Sequence, residues 1–365
     1  MPNTRVPASA SASRRSGRSR WTAGIAAVGI TALLAGCSSS PAAESASSDE
    51  DLTTLKVALG WITNVEWAGF WAADAAGYYE DEGLKIEWQG GGPNAPTTMA
   101  SVASGTADIG VEANTQALLQ SIPEGNEFTL MGSVFQTSPS ALVSLADNPV
   151  RTAEDLVGKT VLGQEGTQQQ IDAILAINGL DKDYDYVTAG FDPGPLVEGA
   201  GDVYTAYLTN QPIILEESYG LSEDDYVVTT IADLGLPLYG STIYTEADTL
   251  AADRDAMLGF LRATAKGWQD NEADPDANAE LAVDVYGADL GLDINQQIRE
   301  NRLQIPLTQS DLTDEKGLLY MDPAVLGGEM YDGLRAAGIS ELPDVDTILD
   351  LTLLDEIYAD GPVLE

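Results

Sequence analysis

The chain of 365 residues predicts an α/β fold built on mostly parallel sheets. Three observations carry that expectation. Leu55, Val57 and Leu59 alternate with Thr54, Lys56 and Ala58, the period-2 pattern of a pleated strand. That strand runs directly into a helix, with Asn64 as N-cap, Trp67, Phe70, Trp71 and Ala75 at helical spacing, and Gly77 where a helix stops. The same succession of strand, turn and helix then recurs along the chain. In an open α/β sheet such junctions lie at the carboxyl ends of the strands, where ligands bind and helix N-termini offer free N–H groups.

The elements follow in order. After the opening unit, 84–88 reads as a strand with Leu84, Ile86 and Trp88 on one face. The loop 90–97, Gly-Gly-Gly-Pro-Asn-Ala-Pro-Thr, leads into a helix near 98–104; no Gly-Lys-Ser/Thr follows, so it is a weak phosphate cradle. Residues 105–111 form a turn and strand, and Glu112, Asn114 and Thr115 a third junction before the helix 116–120. Further strands are expected at 128–135, 142–146, 161–163, 203–208 and 226–231, with a helix starting in 164–170 and ending at Asn178-Gly179. Asp181, Asp183 and Asp185 have the spacing of a calcium loop, but Tyr186 stands where Gly is needed and Asp192 where Glu is needed. A solvated turn is the better reading in so acidic a chain. Residues 253–270 form a long helix, and the helices 278–286, 294–303 and 323–337 read as packing elements.

Composition narrows the function. Arg14, Arg15, Arg18 and Arg20 precede a short apolar run, 22–34, that ends in Leu34-Ala35-Gly36-Cys37. This is the pattern of an export signal closed by a bacterial lipoprotein box, with Cys37 lipidated; Arg14-Arg15 lacks the residues that should follow a twin-arginine pair. Residues 38–51, rich in Ser, Ala and acids, read as a tether. Cys37 is the single cysteine and there is no His, which leaves neither a thiolate site nor the commonest general base and metal ligand. The net charge is -41, and five Arg but none of the 58 acids lie before Cys37. Such a field repels nucleic acid and anionic lipid surfaces.

Trp61-Ile62-Thr63-Asn64, Gly69, Ala76-Gly77-Tyr78-Tyr79 and Glu82-Gly83-Leu84 resemble the opening of periplasmic binding proteins for thiamine-pyrimidine precursors. That branch belongs to a family that also holds sulfonate, taurine, nitrate and riboflavin binders. The phrases 105–111 and 151–160 are similar to family segments, the second being the one that opens lobe two. The resemblance implies a two-lobe periplasmic-binding-protein type II fold, each lobe a mostly parallel sheet flanked by helices, joined by two crossing segments expected at 136–140 and 239–244. The expected layout is a lipoprotein signal peptide at 1–36, a tether at 37–52, lobe 1 at 53–137, lobe 2 at 138–244, and lobe 1 again at 245–365. The family often carries a His at or beside Glu66, and that contact has no counterpart here.

With two lobes, the junctions face a cleft. None of the basic residues after Cys37 falls inside the junction stretches, whereas recognition of a small anion usually recruits Arg or Lys. The cleft is expected to hold Trp61, Tyr204, Tyr207 and Tyr239 as flat walls, the amides Asn64, Asn114, Gln136, Gln164, Gln168, Asn210 and Gln211 as readers of ring edges, and the acids Glu66, Glu112 and Glu165. Two roles are open for Glu66 and Glu165, ligand contact and support of a helix dipole. Asn64 also suits a simple cap, and Gln168 an exposed helix face. The ligand expected is a neutral or weakly basic planar heterocycle, with riboflavin or a small anion (sulfonate, taurine or nitrate) as alternatives. The whole is a monomeric, non-enzymatic, lipid-anchored binding protein on the extracytoplasmic face, delivering its ligand to an ABC permease, with no cofactor, no metal and no nucleic-acid partner. A secreted enzyme on the same fold is the competing class; the pyrimidine-making relative in fungi depends on His and Cys residues that this chain lacks.

Overall fold

A computed structural model describes residues 52–164 and 166–365. The expected signal peptide, Cys37, nearly all of the tether, and Glu165 lie outside the described residues.

Ten strands form two five-stranded sheets with one topology. The first has the order β2-β1-β3-β10-β4, from Leu84–Gln89, Thr53–Leu59, Ile109–Glu112, Gly240–Glu246 and Phe128–Phe135. The second has the order β7-β6-β8-β5-β9, from Asp185–Thr188, Thr160–Gly163, Val203–Tyr207, Ser140–Leu145 and Tyr226–Thr230. In each sheet three neighbouring strands are parallel and one strand runs against them, β10 between β3 and β4, and β5 between β8 and β9. The opposed strand is the one that has just crossed from the other sheet. The chain leaves the first sheet after β4, enters the second as β5, and returns from β9 as β10. This is a two-lobe α/β fold.

Two details differ from expectation. Residues 240–244, expected as a crossing, are the start of β10, fully hydrogen-bonded into the first sheet, so the crossing is 231–239. Residues 185–188, expected as a turn, form the edge strand β7. Its exposed Asp, Val and Thr give no buried alternation by which to recognise it.

The helices that matter for the site are α1 (Ala68–Ala75), α2 (Thr98–Ala103), α3 (Thr115–Ser121), α4 (Gln168–Ile177), α5 (Gln211–Tyr219), α6 (Arg254–Ala273) and α7 (Ile294–Gln304). The aromatic run of the opening unit is core. Trp67, Phe70 and Trp71 are fully buried, and Trp71 stacks on Tyr286 with ring centroids 4.1 Å apart and planes 11° from parallel. α1 lies close against α6 because both carry glycine at the contact. A Cβ on Gly267 would come within 2.1 Å of the Gly69 carbonyl, and a Cβ on Gly69 within 2.3 Å of the Trp268 ring. This packing fixes the first junction rigidly at the head of β1. Among the described residues no helix is long and apolar enough to cross a membrane.

Candidate functional site

A cavity of about 580 Å³ lies between the two sheets, within the usual range of small-molecule sites. Its walls come from the carboxyl ends of strands in both lobes. Gly60, Trp61, Asn64 and Glu66 follow β1, and Glu112 to Thr115 follow β3. Gln164, Thr167 and Gln170 follow β6, Phe191 comes from the loop after β7, and Tyr207, Asn210 and Gln211 follow β8. The crossings add Ser138 and Tyr239, and α7 adds Glu300. Among the described residues no Lys or Arg lines it.

The expected residues divide by what their polar atoms do. Trp61 stands at the mouth, its ring 4.5 Å from that of Phe191 in the other lobe. Asn64 caps the turn Val65–Trp67 by accepting from the Glu66 N–H at 3.1 Å. Asn114 caps α3, accepting from the Ala117 N–H at 3.2 Å. The Gln164 amide is occupied within its own lobe: it donates to the Tyr204 hydroxyl at 2.8 Å and accepts from Thr205 at 2.7 Å. Gln211 accepts from the Tyr207 N–H at 2.7 Å. The Tyr239 hydroxyl turns away and accepts from the Asp322 N–H at 2.8 Å, so this residue offers the cavity its ring.

Three expected residues do not reach the cavity. Tyr204 is fully buried in its own lobe, its hydroxyl donating to the Gly190 carbonyl at 2.5 Å. Gln136 is held into the first lobe, donating to the Tyr320 carbonyl at 2.8 Å, while its own N–H is fixed to the Leu307 carbonyl at 2.7 Å. Gln168 is exposed. Its helix starts at 168, within the expected 164–170, which puts Thr167, Gln170 and Ile171 on the cavity side and turns Gln168 outward by the 3.6-residue period. Of Glu165 nothing is described.

Glu300 was not expected, because α7 reads as a packing helix. The signal is present all the same. Gln297, Glu300, Asn301 and Gln304 sit at i, i+3, i+4 and i+7, a buried stripe that is polar where a packing helix would be apolar. The stripe is fully bonded. Gln297 accepts from the Val65 N–H at 3.0 Å and donates to Glu300 at 3.0 Å, Gln304 donates to the Val65 carbonyl at 2.7 Å, and Asn301 exchanges two hydrogen bonds with Asn271.

Among the described residues three buried carboxyls therefore share the cavity: Glu66, Glu112 and Glu300. Glu112 accepts from the Thr98 hydroxyl, which itself accepts from Tyr244, and from the Asn114 N–H at 2.9 Å. Glu300 accepts from Gln297 and, across the cleft, from Asn210 at 3.2 Å. Glu66 has the poorest supply, the Ser241 hydroxyl at 3.3 Å being its one side-chain donor among the described residues. Burial raises all three, Glu66 to about 8 with added repulsion from Glu300, and Glu300 to about 7. Burial and the two nearby acids push the Tyr207 hydroxyl up as well, so it stays protonated. Among the described residues no cluster of His, Cys, Asp and Glu is placed to hold a metal ion.

The profile of the NMT1/THI5-like family matches residues 64–278, more than half of the chain. The chain belongs to the NMT1/THI5-like family. Among similar proteins, the riboflavin-binding protein RibY of Chloroflexus aurantiacus is 26% identical over 331 residues, covering 86% of this chain and 91% of that one. A 4-amino-5-hydroxymethyl-2-methylpyrimidine phosphate synthase of Legionella pneumophila is 25% identical over 229 residues, 61% of this chain and 71% of its own. The periplasmic aliphatic sulphonate binding protein SsuA of Escherichia coli superposes with a TM-score of 0.62 at 15% identity, covering 82% of this NMT1/THI5-like chain and 98% of SsuA; at that identity the likeness is one of fold.

Proposed function

We propose that this protein is a substrate-binding protein of an ABC importer that captures a small, uncharged or weakly basic planar heterocycle between its lobes. The observation that carries the reading is the wall of the cavity: aromatic faces from Trp61, Phe191, Tyr207 and Tyr239, amide and hydroxyl groups, three acids, and no cation. A sulfonate or nitrate would meet buried carboxyls with no Arg or Lys to balance it. A planar ring gains from the flat walls and uses the polar groups at its edges. The relatives support the same class, one named for riboflavin and one for an aminopyrimidine.

A binding role is favoured over catalysis by the residue inventory, since the sequence has no His, its single Cys lies at 37, and the cavity wall contains neither. The proposal includes export and a lipid on Cys37, so that the domain works on the extracytoplasmic face and hands its ligand to a membrane permease.

Thermal unfolding with riboflavin, 4-amino-5-hydroxymethyl-2-methylpyrimidine, taurine and nitrate tests the reading, because a ligand of the native state raises Tm. One of the two heterocycles should give the shift, and Trp61→Ala should weaken that ligand by about tenfold or more through loss of a stacking wall. A shift with taurine or nitrate alone sinks it.

A further inference from the structure

The three acids of the cavity are not equivalent, and the difference names the edge of the ligand. We infer that Glu66 meets the ligand as a neutral carboxylic acid and pairs with a ring edge that has a hydrogen-bond acceptor beside an N–H donor. This rests on the heterocycle reading above and deepens it. The ligand class is then a lactam, an imide or an amino-azine, taken up without net charge.

Three carboxylates around one enclosed space, with no cationic wall residue, repel one another and lose hydration together. Glu112 is compensated by Thr98, backed by Tyr244, and by a backbone N–H. Glu300 is compensated by two amides, one from each lobe. Both have donors that favour the carboxylate. Glu66 lines the cavity with one long hydrogen bond, from Ser241, and no second side-chain donor among the described residues. The proton belongs where the donors are fewest. A neutral acid presents O–H and C=O side by side, and a ring edge with an acceptor next to an N–H matches both in one plane.

The site also resists adjustment. Glu66 sits on a capped turn whose Val65 is clamped on both its N–H and its carbonyl by Gln297 and Gln304, and Ser241 is held at a left-handed φ of 52°. The titratable groups that face Glu66 are Glu300 from α7, Glu112 from the end of β3, and Tyr207 from the end of β8.

Calorimetric titration with riboflavin and with 4-amino-5-hydroxymethyl-2-methylpyrimidine tests this between about pH 7.5 and pH 9.5, a window above the titration of Glu300. In the wild type the affinity for the ring that binds should fall about 20-fold across that window, since only the protonated acid pairs. Glu66→Gln, which keeps a donor beside an acceptor, should bind within about threefold of wild type at pH 7.5 and lose the decline. Glu66→Ala should bind about tenfold or more weakly at both ends. A flat wild-type profile, or a decline that survives in Glu66→Gln and so belongs to another group, overturns the inference. Infrared difference spectra of ligand-free wild type against Glu66→Gln separate the two levels. A protonated-carboxyl band lost at high pH, with no binding of either ring, overturns the heterocycle reading while leaving the proton on Glu66; a missing band overturns the proton even if a ring binds.

Discussion

Glu66 has a second consequence at the residue scale, independent of any ligand. A carboxyl whose folded-state value lies near 8, against an ordinary value of 4.5 when unfolded, binds more protons in the folded chain throughout that interval. Stability therefore falls as pH rises from about 5 to about 8 and levels off above. Glu300, raised to about 7, adds to the lower part of the same decline. Unfolding monitored by circular dichroism without ligand should show Tm dropping across that window. Glu66→Gln should be more stable than wild type at pH 8, by on the order of a few kcal/mol, and indistinguishable at pH 5. An unchanged slope in the variant would mean that Glu66 ionises as easily as a surface acid. Much of this wall was legible in the sequence, because a strand that runs into a capped helix exposes its junction residues whatever the fold around it; Trp61, Asn64, Glu66, Asn210 and Gln211 follow from that rule. What each polar atom does there was not legible. Gln164 and Tyr239 point their polar groups at partners 40 and 83 residues away in the chain, which local pattern does not reveal.

At the scale of elements, the position of the first junction depends on how closely α1 and α6 approach. Gly267 lies against the Gly69 carbonyl and Ala73, and Gly69 lies against the Trp268 ring, so neither position has room for a side chain. Gly267→Ala places a methyl where the Gly69 carbonyl already stands, and the helices must part. The expected cost is about 1–3 kcal/mol of stability from overpacking, read as a lower urea midpoint with an unchanged slope. Ligand affinity should fall too, because the displaced α1 carries Asn64 and Glu66 with it. A midpoint equal to wild type would show that the helices have slack at this point. The two elements that sequence alone misplaced share a cause. β7 is an edge strand with exposed side chains, and β10 begins where a crossing was expected, so neither shows the buried alternation that marks a strand. α7 shows the reverse: its period was recognised, but its buried stripe bonds to the Val65 turn and the cavity where ordinary packing was expected.

On the scale of the whole molecule, the lobes meet at several places: Gln116 and Gln120 donate to Gln169, residues 331–336 pack on α4, and three further contacts concern the cleft. Trp61 meets Phe191 at the mouth, Glu300 accepts from Asn210 inside, and Arg299 on the outer face of α7 reaches Glu216 at 2.5 Å and Glu217 at 3.0 Å on α5. The first two form part of the cavity wall; the third lies outside it and acts on closure alone. Burial would raise Glu216, but hydrogen bonds from Tyr226 and Arg299 more than offset that and hold it below the ordinary carboxylate range. Arg299 is more than a third exposed, so each pair is worth about 0–1 kcal/mol and is screened by salt. Such a clasp favours the closed form modestly, and in a chain of net charge -41 it is one of few attractive cross-lobe charges available. Arg299→Ala should therefore speed ligand dissociation by about two- to fivefold at low ionic strength, with association little changed. Stopped-flow measurement with the ligand found by the thermal screen checks this, repeated near 1 M salt, where wild type and variant should converge. Equal dissociation rates at low salt would place the closing force on the other contacts between the lobes, and the burden of holding the ligand on the stacked rings and on Glu66.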